Sequence, residues 1–113
     1  DIRSLSMANL ASTSIYHFTP AESASFLKLK DSCQNFQLGG DAYAYAMLAS
    51  GNLDIVVDAH MKPYDYCALR PVIEGAGGII TDWSGKPLSI HSDGSVLAAS
   101  TKELHAAALK VLG

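Results

Sequence analysis

The stretch from Lys62 to Gly85, KPYDYCALRPVIEGAGGIITDWSG, constrains the fold of this chain more than any other. Pro63 fixes its own φ and has no N–H to donate, which suits the entry to a helix. Asp65 then stands where the helix is expected to begin, followed by Leu69, Val72, Ile73 and Ala76 at spacings that share one helical face. Gly75, Gly77 and Gly78 end it, because glycine alone enters left-handed backbone without steric cost. Ile79-Ile80-Thr81 reads as a short buried strand, closed by the polar turn Asp82-Trp83-Ser84-Gly85. The product is carboxylate, helix, glycine turn and strand, with the carboxylate at the positive end of the helix dipole. Taken alone, Asp65 reads as an N-terminal cap. Its alternative is a metal ligand, since an ionised carboxylate oxygen is what Mg2+ prefers.

Around that centre, strand and helix signals alternate. Ser6 to Thr13 is a candidate strand. Thr19-Pro20-Ala21-Glu22 is a helix start, in which Thr19 caps, Pro20 takes the first position and Glu22 closes a capping box. That helix is expected to reach Asp31. Asn35 to Leu38 is a second candidate strand, running into Gly39-Gly40-Asp41. Ala42 to Ser50 is a small-residue helix able to pack closely on a sheet, ended by Gly51-Asn52. Leu53 to Val57 is a buried strand by its branched apolar run, with Asp58 at its carboxyl end. Lys86 to Gly94 is irregular, and Ser92-Asp93-Gly94-Ser95 reads as a turn. Val96 to Ala99 is a last strand. Ser100 with Glu103 forms a second capping box, before a helix whose apolar face is Leu104, Ala107, Ala108 and Val111.

Such alternation implies a layered α/β sandwich with a largely parallel sheet. Ligands bind such sheets beyond the carboxyl ends of the strands. Gly39, Gly40 and Asp41, then Asp58, then Asp65, all fall at strand-to-helix positions and are expected to converge on one crevice. Three acids facing one crevice repel each other, so the site calls for a metal ion or an ammonium-bearing substrate. The plainer alternatives are a solvated loop acid for Asp58, a helix cap for Asp41 and an ordinary turn for Gly39-Gly40.

Composition narrows the class further. With 49% hydrophobic and 17% charged residues in 113, the chain is globular and not disordered, one domain's worth. A net charge of −3 argues against nucleic acid as a partner. No apolar run approaches a membrane span, so no membrane partner is expected. Cys33 and Cys67 form no C-x-x-C and suggest reduced thiols in a cytoplasmic protein. His17, His60, His91 and His105 lack the short spacings of a zinc site. No G-x-G-x-x-G or P-loop points to a nucleotide.

Asp65, the run Glu74-Gly75-Ala76-Gly77-Gly78 and the segment Thr81-Asp82-Trp83-Ser84-Gly85 together resemble the C-terminal half of the inositol monophosphatase family. There a W-D-x-A-A-G segment leads into E-A-G-G and T-D-x-x-G. The resemblance covers nearly the whole chain, and implies the C-terminal half of the sugar phosphatase fold. It further implies Mg2+-dependent hydrolysis of a small phosphate monoester, by a protein that is a homodimer at full length. Asp65 matches the family's metal ligand, with Tyr64 in place of its Trp. Asp58 falls where the family has a substrate-binding Glu, and Gly39-Gly40-Asp41-Ala42 where a G-T-A-A segment lines the substrate pocket. Asp41, with Tyr43 and Lys62-Pro63-Tyr64-Asp65, resembles the histidinol-phosphate phosphatase branch, which serves histidine biosynthesis. The chemistry agrees, because a desolvated carboxylate gains more from an ammonium than from a hydroxyl.

The family's remaining ligands, in G-E-E and D-P-x-D-G-T, have no counterpart in this chain. The expectation is therefore a C-terminal fragment, inactive alone, with no catalytic residue identified in it. Rival readings are an inositol or sugar-phosphate phosphatase and a non-catalytic α/β module for a small cation or a partner. One carboxylate does not complete a Mg2+ site. Titration calorimetry of the 113-residue chain with Mg2+ is thus expected to show weak, non-stoichiometric heats, and tight one-to-one binding would contradict it.

Overall fold

The computed structural model describes residues 4–12, 18–38, 41–51 and 53–112, the side chains of 38, 41–43, 64 and 65 excepted. A single 3-10 turn (Leu5–Met7) precedes β1 (Asn9–Ser12), α1 (Pro20–Ser32), β2 (Asn35–Leu38), α2 (Asp41–Ala49) and β3 (Ile55–Asp58). Then follow α3 (Pro63–Gly75), β4 (Ile79–Thr81), β5 (Val96–Ala99) and α4 (Lys102–Leu112). The strands form one sheet in the order β2-β1-β3-β5-β4.

Helices cover both faces of that sheet. Tyr45 and Leu48 of α2, with Tyr66, Leu69 and Ile73 of α3, pack on Val56, Val96 and Ala98. On the opposite face Phe26 and Leu29 of α1, with Leu104, Ala108 and Leu112 of α4, pack on Ile55, Val57, Leu97 and Ala99. Neighbouring residues of β3 and β5 thus alternate between two apolar layers, as a pleated strand requires. Both strands are buried along their whole length. The result is the helix–sheet–helix sandwich that the alternating pattern predicts.

The sheet is mixed, which corrects the expectation of a largely parallel one. β2, β1 and β3 are parallel, while β5 runs antiparallel to both β3 and β4. The connections explain it. After α3 the chain forms the far edge as β4, leaving a slot beside β3. Residues 82–95 contain no helix, and a non-helical return brings β5 into that slot running the other way.

Several element ends also move. Ser6 to Thr13 resolves into the 3-10 turn and β1, with Thr13 outside the described residues. α2 begins at Asp41 and ends before Gly51, whose φ is +90°; Asn52 lies outside the described residues. The third strand starts at Ile55 and takes in Asp58. α3 starts at Pro63, after Lys62, so Asp65 is in its first turn and not at its first position. Val72 is 48% exposed and Ala76 is exposed, so the buried face is Tyr66, Leu69 and Ile73. Tyr66 sets that rotation, because its hydroxyl donates to Ser89 O at 2.6 Å. The Thr19–Glu22 capping box forms as read. For α4 the cap is Thr101, not Ser100: Thr101 Oγ1 accepts from Leu104 N at 3.2 Å, and His105 and Leu112 join the buried face.

The glycines after α3 divide their work. Gly77 supplies the left-handed turn, with φ +88°. Gly78 supplies close approach, since a Cβ there would meet Ala99 O at 2.8 Å and Ile73 Cγ2 at 3.0 Å. Gly78→Ala is therefore expected to cost about 1–3 kcal/mol of stability. Gly75, at the helix end with open space around it, should be neutral or gain up to about 1 kcal/mol as alanine. Urea unfolding of both variants against the parent chain measures the contrast.

Candidate functional site

The carboxyl ends of β1, β2, β3 and β4 lie on the same edge of the sheet, because all four run the same way. From β1 the chain goes to β2 on one side; from β3 it goes to β4 on the other. The departing connections diverge between β1 and β3, the place where a ligand crevice is expected in such a sheet. Ser12, the last residue of β1, and Asp58, the last of β3, join across its floor: Ser12 Oγ donates to Asp58 Oδ1 at 3.1 Å.

Asp58 is only 3% exposed, so the solvated loop acid is ruled out as its description. Strand alternation sends it to the α2–α3 side, as it does Val56. There the Tyr45 hydroxyl donates to Oδ2 at 2.5 Å. Burial raises the Tyr45 phenol well above its ordinary range, and the Asp58 charge and hydrogen bond raise it further. The phenol is held as a donor and the carboxylate as its acceptor. Among the described residues no buried side-chain nitrogen or oxygen lacks a partner.

The rim is built by three turns. Trp83 Nε1 donates to Asp58 O and Val96 O, both at 3.1 Å, locking the β4 exit against the end of β3. Asp82 Oδ1 accepts from Ser84 N and Lys86 N, which shapes the turn read from the sequence. In the 92–95 segment, the expected turn forms around Asp93, whose Oδ1 accepts from Ser95 N at 2.9 Å and Ser95 Oγ at 2.6 Å. Those bonds hold the Asp93 carboxyl below the usual carboxylate range. Gly94 lets this turn press on the β3–α3 connection, where a Cβ would meet Met61 O at 2.8 Å. In that connection His60 takes a left-handed φ of +62°, uncommon for a residue other than glycine. His60 Nε2 meets Glu22 Oε1 at 2.8 Å, so the rim is tied to the start of α1.

Of the residues the sequence singles out, Asp58 is the one whose side chain is described. Asp41 is the first residue of α2, and Asp65 lies in the first turn of α3; their side chains are outside the described set. Gly39 and Gly40 lie outside the described residues altogether. The backbone puts the starts of α2 and α3 after the same-facing ends of β2 and β3. Sequence reading missed Tyr45, Ser12 and the His60–Glu22 pair. Tyr45 offered a signal: a phenol in an alanine-rich helix, one turn after Asp41, is more than close packing requires.

The model of the Inositol monophosphatase family matches residues 3–113. The chain is 41% identical to the chloroplastic bifunctional phosphatase IMPL2 of Arabidopsis thaliana, over 96% of this chain and 33% of that protein. Its chloroplast is a compartment that two free thiols do not distinguish from a cytosol. A histidinol-phosphatase of Chlorobaculum parvum is 39% identical over 52% of this chain and 23% of its own length. An inositol monophosphatase from Zymomonas mobilis superposes with a TM-score of 0.93 at 42% identity, over 96% of this chain and 43% of that one. The chain thus spans a third or less of these curated relatives. No helix among the described residues is long and apolar enough to cross a membrane.

The rim tie has a pH signature. Partial burial raises the Glu22 carboxyl, but the Thr19 N–H and the His60 side chain outweigh it, leaving a net shift below its ordinary value of 4.5. A depressed carboxyl contributes stability that is present above its unfolded value and lost as pH falls through the folded one. Acid unfolding followed by circular dichroism is expected to be shallower below pH 4.5 in Glu22→Gln than in the parent.

Proposed function

This chain belongs to the inositol monophosphatase family, and on that premise we propose that the whole protein hydrolyses phosphate monoesters in the crevice between β1 and β3. The preferred substrate is an amino-alcohol phosphate, histidinol phosphate. The observation that carries the reading is the buried carboxylate of Asp58 at that crevice, flanked by helices whose first turns contain Asp41 and Asp65. An acid-rich site at a sheet's switch point favours a cationic occupant. The likeness to the bifunctional phosphatase IMPL2 supports a phosphatase, and that to the Chlorobaculum histidinol-phosphatase supports the amine-bearing substrate.

Asp65 is a hard oxygen donor of the kind Mg2+ takes. Among the described residues no three His, Cys, Asp or Glu side chains gather into a metal-holding group. Asp65 fits as one oxygen ligand, and a Mg2+ site takes several. Lewis-acid activation of water and phosphate is the chemistry the ion supplies when bound. Asp41 accepts a charge-assisted hydrogen bond from the substrate ammonium. Gly39 and Gly40 have no side chains to bar a ligand from the backbone. Asp58, pinned by Ser12 and Tyr45, contributes negative charge from the crevice floor.

A polyol phosphate is the second reading, favoured by the Zymomonas inositol monophosphatase at 42% identity. A non-catalytic module fits less well, since the relatives named above are phosphatases. Phosphate release by the whole protein from histidinol phosphate and inositol 1-phosphate separates the three. Asp41→Asn keeps size and removes charge, so kcat/KM for histidinol phosphate should fall roughly ten- to a hundredfold, with the polyol ester much less affected. Asp65→Asn should lower turnover of both esters, because the metal serves the phosphate. Equal effects of Asp41→Asn on both would withdraw the amine-reading role and leave a general phosphatase.

A further inference from the structure

Tyr45 is the buried group at the crevice to which the reading above gives no task of its own. Its ring is fully buried in the apolar layer between α2, α3 and the sheet. Its hydroxyl leaves that layer for Asp58 Oδ2 at 2.5 Å, a short O–H···O bond. The same oxygen lies 3.6 Å from the sulfur of Met61 in the connection after β3. Tyr45 also stands four residues after Asp41 in α2, one helical turn along.

These placements matter because α2 is not bonded to β3 by the sheet ladder. α2 follows β2, and β1 lies between β2 and β3. The packing of Ala44, Tyr45 and Leu48 on the sheet is non-directional and tolerates sliding, and the bond from Leu53 N to Met47 O holds α2 at its carboxyl end. A short hydrogen bond between two buried groups admits one register. Fixing that register fixes where the first turn of α2 stands over the crevice.

We propose that Tyr45 is a specificity-determining positioning residue, which ties α2 to the end of β3 through Asp58 and so sets Asp41 over the crevice for a cationic substrate group. The inference rests on the phosphatase reading above.

The test measures kcat and KM of the whole protein for histidinol phosphate and inositol 1-phosphate, in the parent, Tyr45→Phe, Asp58→Asn and the double variant. The ratio of kcat/KM between the amine-bearing and the polyol ester should drop roughly tenfold in Tyr45→Phe, chiefly through KM. The double variant should fall no further than the worse single one, since the pair acts as a unit. Ser12→Ala removes a donor to Asp58 from β1 and leaves the α2 tie, so its shift should be smaller. A structural role alone would depress both esters by one factor, and an unchanged ratio overturns the proposal. So do additive effects of the pair, a Ser12→Ala shift as large as that of Tyr45→Phe, or a Tyr45→Phe protein that circular dichroism finds unfolded. If the parent hydrolyses neither ester, the phosphatase reading falls and this inference with it. If the parent hydrolyses both and the variant keeps the ratio, this inference falls alone.

Discussion

β3 is paired on both edges and covered on both faces, and it ends in a carboxylate. Strand pairing with β1 and β5 engages its backbone on both edges, while α2 and α3 above and α1 and α4 below exclude water from its side chains. A charged group at such a place is costly unless donors meet it. Ser12 and Tyr45 are two such donors, and each comes from a different element. Satisfying Asp58 therefore ties β1, α2 and β3 together at the one point where the chain's crossovers diverge.

The rest of the crevice follows from how β5 enters. By running antiparallel between β3 and β4 it sets Val96 opposite Asp58, and brings the 92–95 turn to the carboxyl edge of its neighbours. The indole of Trp83 then spans the carbonyls of Asp58 and Val96, which no parallel arrangement of these strands would offer side by side. Gly94 allows the turn to close on Met61, and the left-handed His60 reaches across to Glu22. An edge that could have been a loose set of loops is stitched by a few directional bonds. Glu22 serves twice there, closing the cap of α1 and holding His60.

The two helices whose first turns contain Asp41 and Asp65 are held differently. α3 is anchored by Tyr66 to Ser89 and by Arg70 to Leu88 O, both in the loop that follows β4. α2 bonds to the end of β3 through Tyr45 and Asp58. The first helix thus leans on the irregular 82–95 segment and the second on a buried acid, so the two sides of the crevice need not respond alike to substitution.

The sequence by itself determined the family, the α/β layering, the capping box of α1 and the glycine turn after α3. Each of these is local: a 3.6-residue period, a Thr-Pro-x-Glu start or a left-handed glycine is written within a dozen residues. It also named Asp58 and its position at a strand end. Only the tertiary structure decided that the sheet is mixed, that Val72 faces outward, and that Thr101 caps α4. Only it showed that Asp58 is buried between Ser12 and Tyr45. Those outcomes depend on residues far apart in the chain, 46 positions between Ser12 and Asp58, which meet because β1 and β3 pair in one register. Local pattern states what a residue can do, and strand pairing chooses the partner it does it with.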